Sequence, residues 1–198
     1  MRFDRTAAFV LTLALATPPV LAMAQSDPAA AKVQSFYDTL LDTMKQGKSL
    51  GFDGRYRKLE PAVESTFDIP VMTRFAVGPK WSSFSAAEQA QLVKAYSRMS
   101  VATYAKNFDS YGGQSFTVDP NVQARGADKL VKTQLIQKGK APIDLTYRMR
   151  GTKIIDVYYQ GSVSQLTTQR SDFSATAASG GADALVKKID ALSDSMKK

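Results

Sequence analysis

FDIPVMTRFAVGPKWSSFSAAEQAQLVKAYSRMSVATYAKNFDSYGGQSFTV, residues 67–118, holds the longest periodic segment of the 198-residue chain and its one tryptophan, Trp81. A long helix begins inside it. Ser85 and Glu88 have the S-x-x-E spacing in which the serine oxygen caps a free backbone amide and the glutamate bonds back. Gly112-Gly113 is expected to end the helix, because a helix terminus commonly takes a left-handed residue. Between these limits Leu92, Ala95, Tyr96, Met99, Ala102 and Thr103 fall on one face, and Val93, Tyr104, Phe108 and Tyr111 widen it on one side. A helix lying on one sheet needs an apolar stripe only a little wider than about 100°. This one has more, which fits either a helix buried on two sides in an ordinary core or one wall of a ligand cavity.

Working back toward the start, Phe67 to Val77 is short and apolar, with Pro70 near its beginning and Gly78-Pro79 at its end, so it reads as a separate helix or turn. Trp81, just after that turn, reads as a core residue pinning a helix junction. Leu50 to Val63 carries Phe52, Tyr56 and Leu59 at helical spacing among Arg55, Arg57 and Lys58. That is an amphipathic basic helix, either an ordinary surface helix with solvated cations or a face that meets a membrane or a partner. The first helix opens at Asp27-Pro28, presents Val33, Phe36 or Tyr37, Leu40, Leu41 and Met44, and is expected to close at Gly47.

Ahead of it, Met1 to Ala24 has the three parts of a secretory signal. Arg2 and Arg5 form the positive end, Ala7 to Ala16 the apolar run, and Ala22-Met23-Ala24 the small residues before a cut at Gln25. The run falls far short of the roughly 20 apolar residues of a membrane span. No cysteine follows the cut to take a lipid anchor. The remaining residues, 25–198, suit a single domain with a substantial core.

After Gly113 the period changes to two. Phe116 and Val118 alternate with polar neighbours, as do Val131, Thr133 and Leu135. Ile143, Leu145, Tyr147 and Met149 make the clearest strand, and Ile155, Val157 and Tyr159 follow Gly151. Four short-linked strands between about residues 114 and 160 predict an antiparallel meander with one apolar face turned to the helices of residues 28–110. The tail, residues 162–197, is helical again, with Val163, Leu166 and Phe173 on one side and a break at Gly180-Gly181. The fold class is therefore α+β.

Chemistry is limited by what is missing. The chain has no histidine and no cysteine, which removes Ser-His-Asp hydrolysis, thiol catalysis and histidine-based zinc or haem ligation. It carries neither phosphate-cradling glycine motif. Asp144 and Asp156 lie on neighbouring strands, but Asp144 alternates out of phase with the apolar residues and faces water, not the buried setting that a general acid requires. No enzyme, cofactor or metal site is expected. Without the leader, 24 basic residues face 17 acidic ones, a net charge of +7. A basic exported chain without nucleic-acid motifs points to anionic lipid or an acidic protein face.

Several landmarks, in order, carry a resemblance: Phe67-Asp68, Gly78 with Trp81 three positions on, the helix capped by Ser85, Thr103-Tyr104-Ala105, Gly113-Gln114, and the run D-V-Y-Y-Q-G-S-V-S at 156–164. They resemble the periplasmic phospholipid-binding proteins of the toluene-tolerance (MlaC) family, from about residue 30 to the C-terminus. R-S-D-F at 170–173 and G-G-A-D-A-L at 180–185 are similar to its branch found with hopanoid biosynthesis. Two departures, an added Ser162 before Val163 and Thr152 where tryptophan is common, bear on strand register at one end of the cavity. The resemblance implies an exported shuttle, cut near Ala24, that passes phospholipid or a hopanoid-related lipid between an outer-membrane complex and an MCE-type inner-membrane transporter, touching the membrane transiently.

Alternation then nominates the lining of an apolar cavity. The helices contribute Met72, Phe75, Leu92, Tyr96, Met99, Thr103 and Tyr104, and the tail contributes Leu166. The strands contribute Val118, Leu135, Leu145, Tyr147, Met149, Val157 and Tyr159. Thioether and aromatic linings adapt to variable acyl chains. The other reading is a solid-cored adaptor that binds an envelope protein through its basic helix.

Overall fold

Asp27 caps the first helix, its carboxylate accepting from the Ala29 amide at 2.8 Å. The computed structural model describes residues 26–197, so the leader expected over residues 1–24 lies outside the described residues. Helix α1 (Pro28–Lys45) passes without a loop into α2 (Gly47–Thr66), followed by α3 (Ile69–Val77), a 3-10 turn (Gly78–Ser83) and α4 (Ala86–Asn107). Strands β1 (Ser115–Val118), β2 (Gln123–Arg125), β3 (Asp128–Ile136), β4 (Ile143–Arg150), β5 (Lys153–Tyr159) and β6 (Val163–Ser164) come next, and α5 (Gln165–Ser195) closes the fold.

Local signals explain most boundaries. The capping box of α4 is present, with Glu88 N donating to Ser85 Oγ at 3.3 Å and Ser85 N donating to the Glu88 carboxylate at 2.7 Å. Gly78, at φ 75°, ends α3, and Gly181, at φ 69°, kinks α5 where the Gly180-Gly181 break was expected. Two expected stops fall elsewhere. Gln46 closes α1 through its amide bond to Thr43 O, and Gly47 opens α2 instead, because a Cβ there would sit 1.9 Å from the Asp109 carbonyl oxygen. Helix α4 ends at Asn107 rather than at Gly112-Gly113. Phe108 leaves helical geometry there and lays its ring between Tyr104 and Phe116, so packing ends the helix before the glycines do.

Among the described residues the sheet has six strands where four were expected. Neighbours run β1-β3-β4-β5-β6, all antiparallel, and β2 pairs with β3 beyond β1. The two added strands are short. All three residues of β2 are exposed, so it has no apolar alternation to read. Val163 of β6, expected on a helical face, is 54% exposed and pairs with Tyr159.

On the inward face the cross-strand rows are Phe116–Leu135–Ile143, Val118–Thr133–Leu145–Tyr159 and Val131–Tyr147–Val157. The phase of β5 is not continuous. Arg148 opposes Asp156 and Met149 opposes Ile154, leaving Ile155 as the extra residue of a bulge. Ile154 and Val157 therefore face the core, and Ile155, expected in phase with Val157, turns to the other side.

Asp156 locks this irregular edge. Its carboxylate accepts from Val157 N at 2.8 Å, Ser164 Oγ at 2.7 Å and Leu166 N at 3.3 Å, joining β5, β6 and the first turn of α5. A negative charge at a helix start is itself favourable. At the opposite end, the Asp27 carboxylate also takes Lys129 Nζ at 2.7 Å, which ties the start of α1 to β3.

Gly47→Ala is expected to lower unfolding free energy by at least about 2 kcal/mol in urea melts, since its Cβ meets backbone that cannot give way. Gly54→Ala is the contrast. Its added carbon meets only the Leu50 side chain, at 3.0 Å, and relieves a helix-interior glycine, so the change stays under about 1 kcal/mol.

Candidate functional site

The inward face of the sheet and the helices above it meet in an aromatic interior. Tyr37 of α1 stacks on Phe116 of β1 with ring centroids 4.1 Å apart and meets Tyr147 of β4 edge-on at 5.8 Å. The neighbouring Phe36 packs edge-on against Phe67 at 5.2 Å and Tyr104 at 5.1 Å. Phe108 links Tyr104 to Phe116 and so closes the circuit. Both Phe36 and Tyr37 are buried, so α1 lies between two apolar neighbours rather than on one.

A polar thread runs through these rings. The Tyr37 hydroxyl shares a 2.6 Å bond with Thr133 Oγ1 and donates to the Tyr147 hydroxyl at 3.0 Å. Thr133 stands at an inward position of β3, among apolar residues, because its hydroxyl has this partner. Burial pushes the Tyr37 phenol up to about 12, against the opposing pull of its bonds to Thr133 and Tyr147. Burial likewise raises Tyr104 and Tyr147, and the closeness of the other phenols raises them further. These hydroxyls are neutral donors and acceptors at physiological pH, not acids or bases.

The nominated lining residues fall into three groups. Leu135, Tyr147, Met149 and Val157 are buried on the sheet, and Tyr104 joins them from α4. Met72, Leu92, Tyr96, Met99 and Leu166 are buried in the same apolar cluster on the helices and at the start of α5, where the Tyr96 hydroxyl donates to Gln169. Thr103 is half-buried but lies 3.4 Å from Met196 Sδ near the end of α5, away from the rings. Val118 and Leu145 are half-buried, and their row ends at Tyr159, which is 41% exposed because no helix covers that end. Phe75 is 45% exposed on the outer side of α3. Burial of Phe75 and Tyr159 in the lining is thus corrected: Tyr159 keeps the inward phase of its strand but is left uncovered. Phe36, Tyr37, Phe67, Phe108, Phe116 and Thr133 belong to the interior and were not nominated. The paired aromatics of α1 and the lone threonine in an inward strand position were the signals for three of them.

Several surface clefts adjoin this interior, one of them lined by Val118, Thr133 and Leu145. A cleft of about 520 Å³ is lined by Phe67, Ile69, Pro70 and Val93, with Glu60, Glu64, Lys94, Arg98 and Lys153 around it. Phe67 belongs both to this wall and to the ring cluster, where it touches Phe36 and Tyr104. A second cleft, of about 480 Å³, brings Phe75 and Leu166 beside Arg74, Arg148, Arg150 and Arg170.

Two of the three cations in the basic segment of α2 are engaged, and Arg57 is exposed. Arg55 donates to Ala105 O at 2.7 Å and Gly47 O at 2.9 Å, closing carbonyls where α1, α2 and α4 meet. Lys58 pairs with Asp42 at 2.6 Å. Trp81 is half-buried in the 3-10 turn and packs against the core from its edge. Asp144, weighed as half of a carboxylate pair, is exposed and accepts from Gln134, while Asp156 is saturated by its three donors.

The family model for the MlaC protein matches residues 34–191. Among solved structures, the phospholipid-binding protein from Ralstonia solanacearum, solved in complex with a phospholipid, superposes with a TM-score of 0.73 at 23% identity. The match covers 86% of this chain and 99% of that one. At that identity the likeness establishes the fold. No curated protein matches the chain.

Tyr37→Phe is expected to cost about 1–3 kcal/mol at neutral pH, because Thr133 and Tyr147 lose a buried partner. Wild-type stability also falls at alkaline pH. A phenol raised from 10.0 to about 12 in the folded state contributes stability that is complete below pH 10 and is lost as pH rises through 12. Urea midpoints measured at pH 9 and 11 are expected to fall less in Tyr37→Phe than in the wild type.

Proposed function

The chain belongs to the MlaC family, and on that premise we propose that it binds a lipid in the bacterial periplasm and carries it between envelope membranes without chemistry. The observation that carries the reading is the double membership of Phe67. That side chain lies in the wall of the 520 Å³ surface cleft and against the rings of the interior. Acyl chains enter at Phe67 and part the rings that α1 and α4 lay on the sheet. Strand hydrogen bonds hold the floor in register, so the helices are the side that gives way. Met72, Met99 and Met149 border the same cluster, and flexible thioethers fill around chains of different shape.

Energetics favour a carrier only if the interior nearly matches a bilayer. Each methylene buried from water is worth about 0.8 kcal/mol, and a membrane offers the same. A lining of rings and methionines meets that demand. The Ralstonia protein of the same fold was solved with a phospholipid, which supports phospholipid as the ligand; a hopanoid-related lipid is the variant that the tail motifs suggest. The donor and acceptor in this reading are an outer-membrane complex and an MCE-type transporter. The secretory leader delivers the chain to the compartment between them.

Native mass spectrometry of gently purified protein is expected to find near-stoichiometric lipid, whose mass identifies its class; a lipid-free spectrum would favour the solid-cored adaptor. Phe67→Ala is expected to speed exchange of a fluorescent phospholipid severalfold. An unchanged exchange rate would remove Phe67 from the path.

A further inference from the structure

The cleft beside α3 holds a group of charges that the lipid interior does not use. Four guanidiniums converge there from three elements: Arg74 of α3, Arg148 and Arg150 of β4, and Arg170 of α5. The carboxylates around them are already occupied. Asp128, buried in β3, accepts from Arg148 Nε at 2.7 Å and Arg150 Nε at 2.8 Å. Asp156 accepts from two backbone amides and Ser164, none of them an arginine. Asp68 caps α3 through Val71 N and acts on Arg150 only at a distance.

Arg74 and Arg170 pair with no carboxylate among the described residues. Arg170 lies instead with its Cζ 5.5 Å over the Phe75 ring. Gly78 makes room for it, since a Cβ there would stand 2.9 Å from Arg170 Nε. Phe75 and Val71, both exposed, give the same cleft an apolar shoulder.

We propose that this cleft is a binding site for a phosphate-type anion bearing an apolar group, held between the guanidiniums of Arg74 and Arg170 with the apolar part against Phe75 and Val71. A guanidinium fork presents two parallel donors that match two oxygens of one phosphate. A phosphate has enough oxygens to engage both arginines at once. Arg148 and Arg150, anchored by Asp128, add fixed positive potential behind it. A lipid headgroup and a free phosphate ester share this chemistry. Only the first source rests on the lipid-carrier reading, and the site itself does not.

The test is calorimetric titration of the mature protein with glycerol 3-phosphate and, separately, with dispersed dihexanoyl phosphatidylglycerol, in the wild type and in Arg74→Gln/Arg170→Gln. The double variant is expected to bind at least about tenfold more weakly, with the loss shrinking as salt rises. Tighter binding of the lipid than of glycerol 3-phosphate supports the site as proposed, and equal binding of both overturns the role of Phe75 and Val71. Phe75→Ala, which removes the apolar shoulder together with the ring under Arg170, is expected to weaken the lipid more than glycerol 3-phosphate.

Affinities within twofold between the wild type and a double variant with an unaltered thermal melt would overturn the proposal. So would a wild type that binds neither ligand yet sediments with phosphatidylglycerol vesicles, which would make the cleft a membrane-facing surface. The two readings fail separately. Co-purified lipid with unchanged titrations sinks the anion site alone, and a lipid-free protein that binds phosphate through Arg74 and Arg170 sinks the carrier alone.

Discussion

The bonds of one phenol, Tyr37, set how the helices sit on the sheet. Its ring stacks on Phe116 while its hydroxyl reaches Thr133 and Tyr147, so α1 is tied to β1, β3 and β4 through a single side chain. Ring stacking alone tolerates sliding. A hydrogen bond in a low-dielectric interior does not, because leaving its donor unpaired there costs far more than it would in water. The Asp27–Lys129 pair fixes the start of the same helix, and between the two ties the lower surface of α1 has one register.

That constraint shapes what the interior can do. Its polar atoms are all satisfied among themselves, so they neither titrate near neutrality nor offer an unpaired group to a reacting substrate. What is left for a guest is apolar surface that changes by rearranging rings and thioethers. In the proposed carrier, such an interior discriminates shape and hydrocarbon content rather than functional groups. Any recognition of a charged headgroup has to come from elsewhere on the molecule.

The surplus of positive charge has a distribution that bears on this. Much of it is structural: Arg55 closes backbone carbonyls, Lys58 and Lys129 pair with aspartates, and Arg148 and Arg150 are clamped by Asp128. Arg150 and Arg148 in turn hold the Asp128 carboxyl below its usual range, so the clamp persists at neutral pH. Arg74 and Arg170 stand apart because the neighbouring acids have other duties. A chain with net charge +8 thus places two guanidiniums without a carboxylate partner in one cleft.

Much of this was legible from local order. Period, caps and breakers set the helices, the four main strands and the α+β class, because an amphipathic period or a capping box acts within a few residues. The missing histidine and cysteine removed most catalytic chemistry without any structure at all. Tertiary contacts decided the rest. Strands of two or three residues such as β6 and β2 exist only because a partner strand receives them, and the bulge at Ile155 shifts the phase of β5 through a neighbour in β4. Phe75 and Tyr159 carry the right residue types for an interior yet lie outside it, since cover depends on where a helix ends rather than on alternation. Sequence alone determined which surfaces needed burying; which surface met which, and hence the ring of aromatics and the meeting of four arginines, was decided by contacts between segments far apart in the chain.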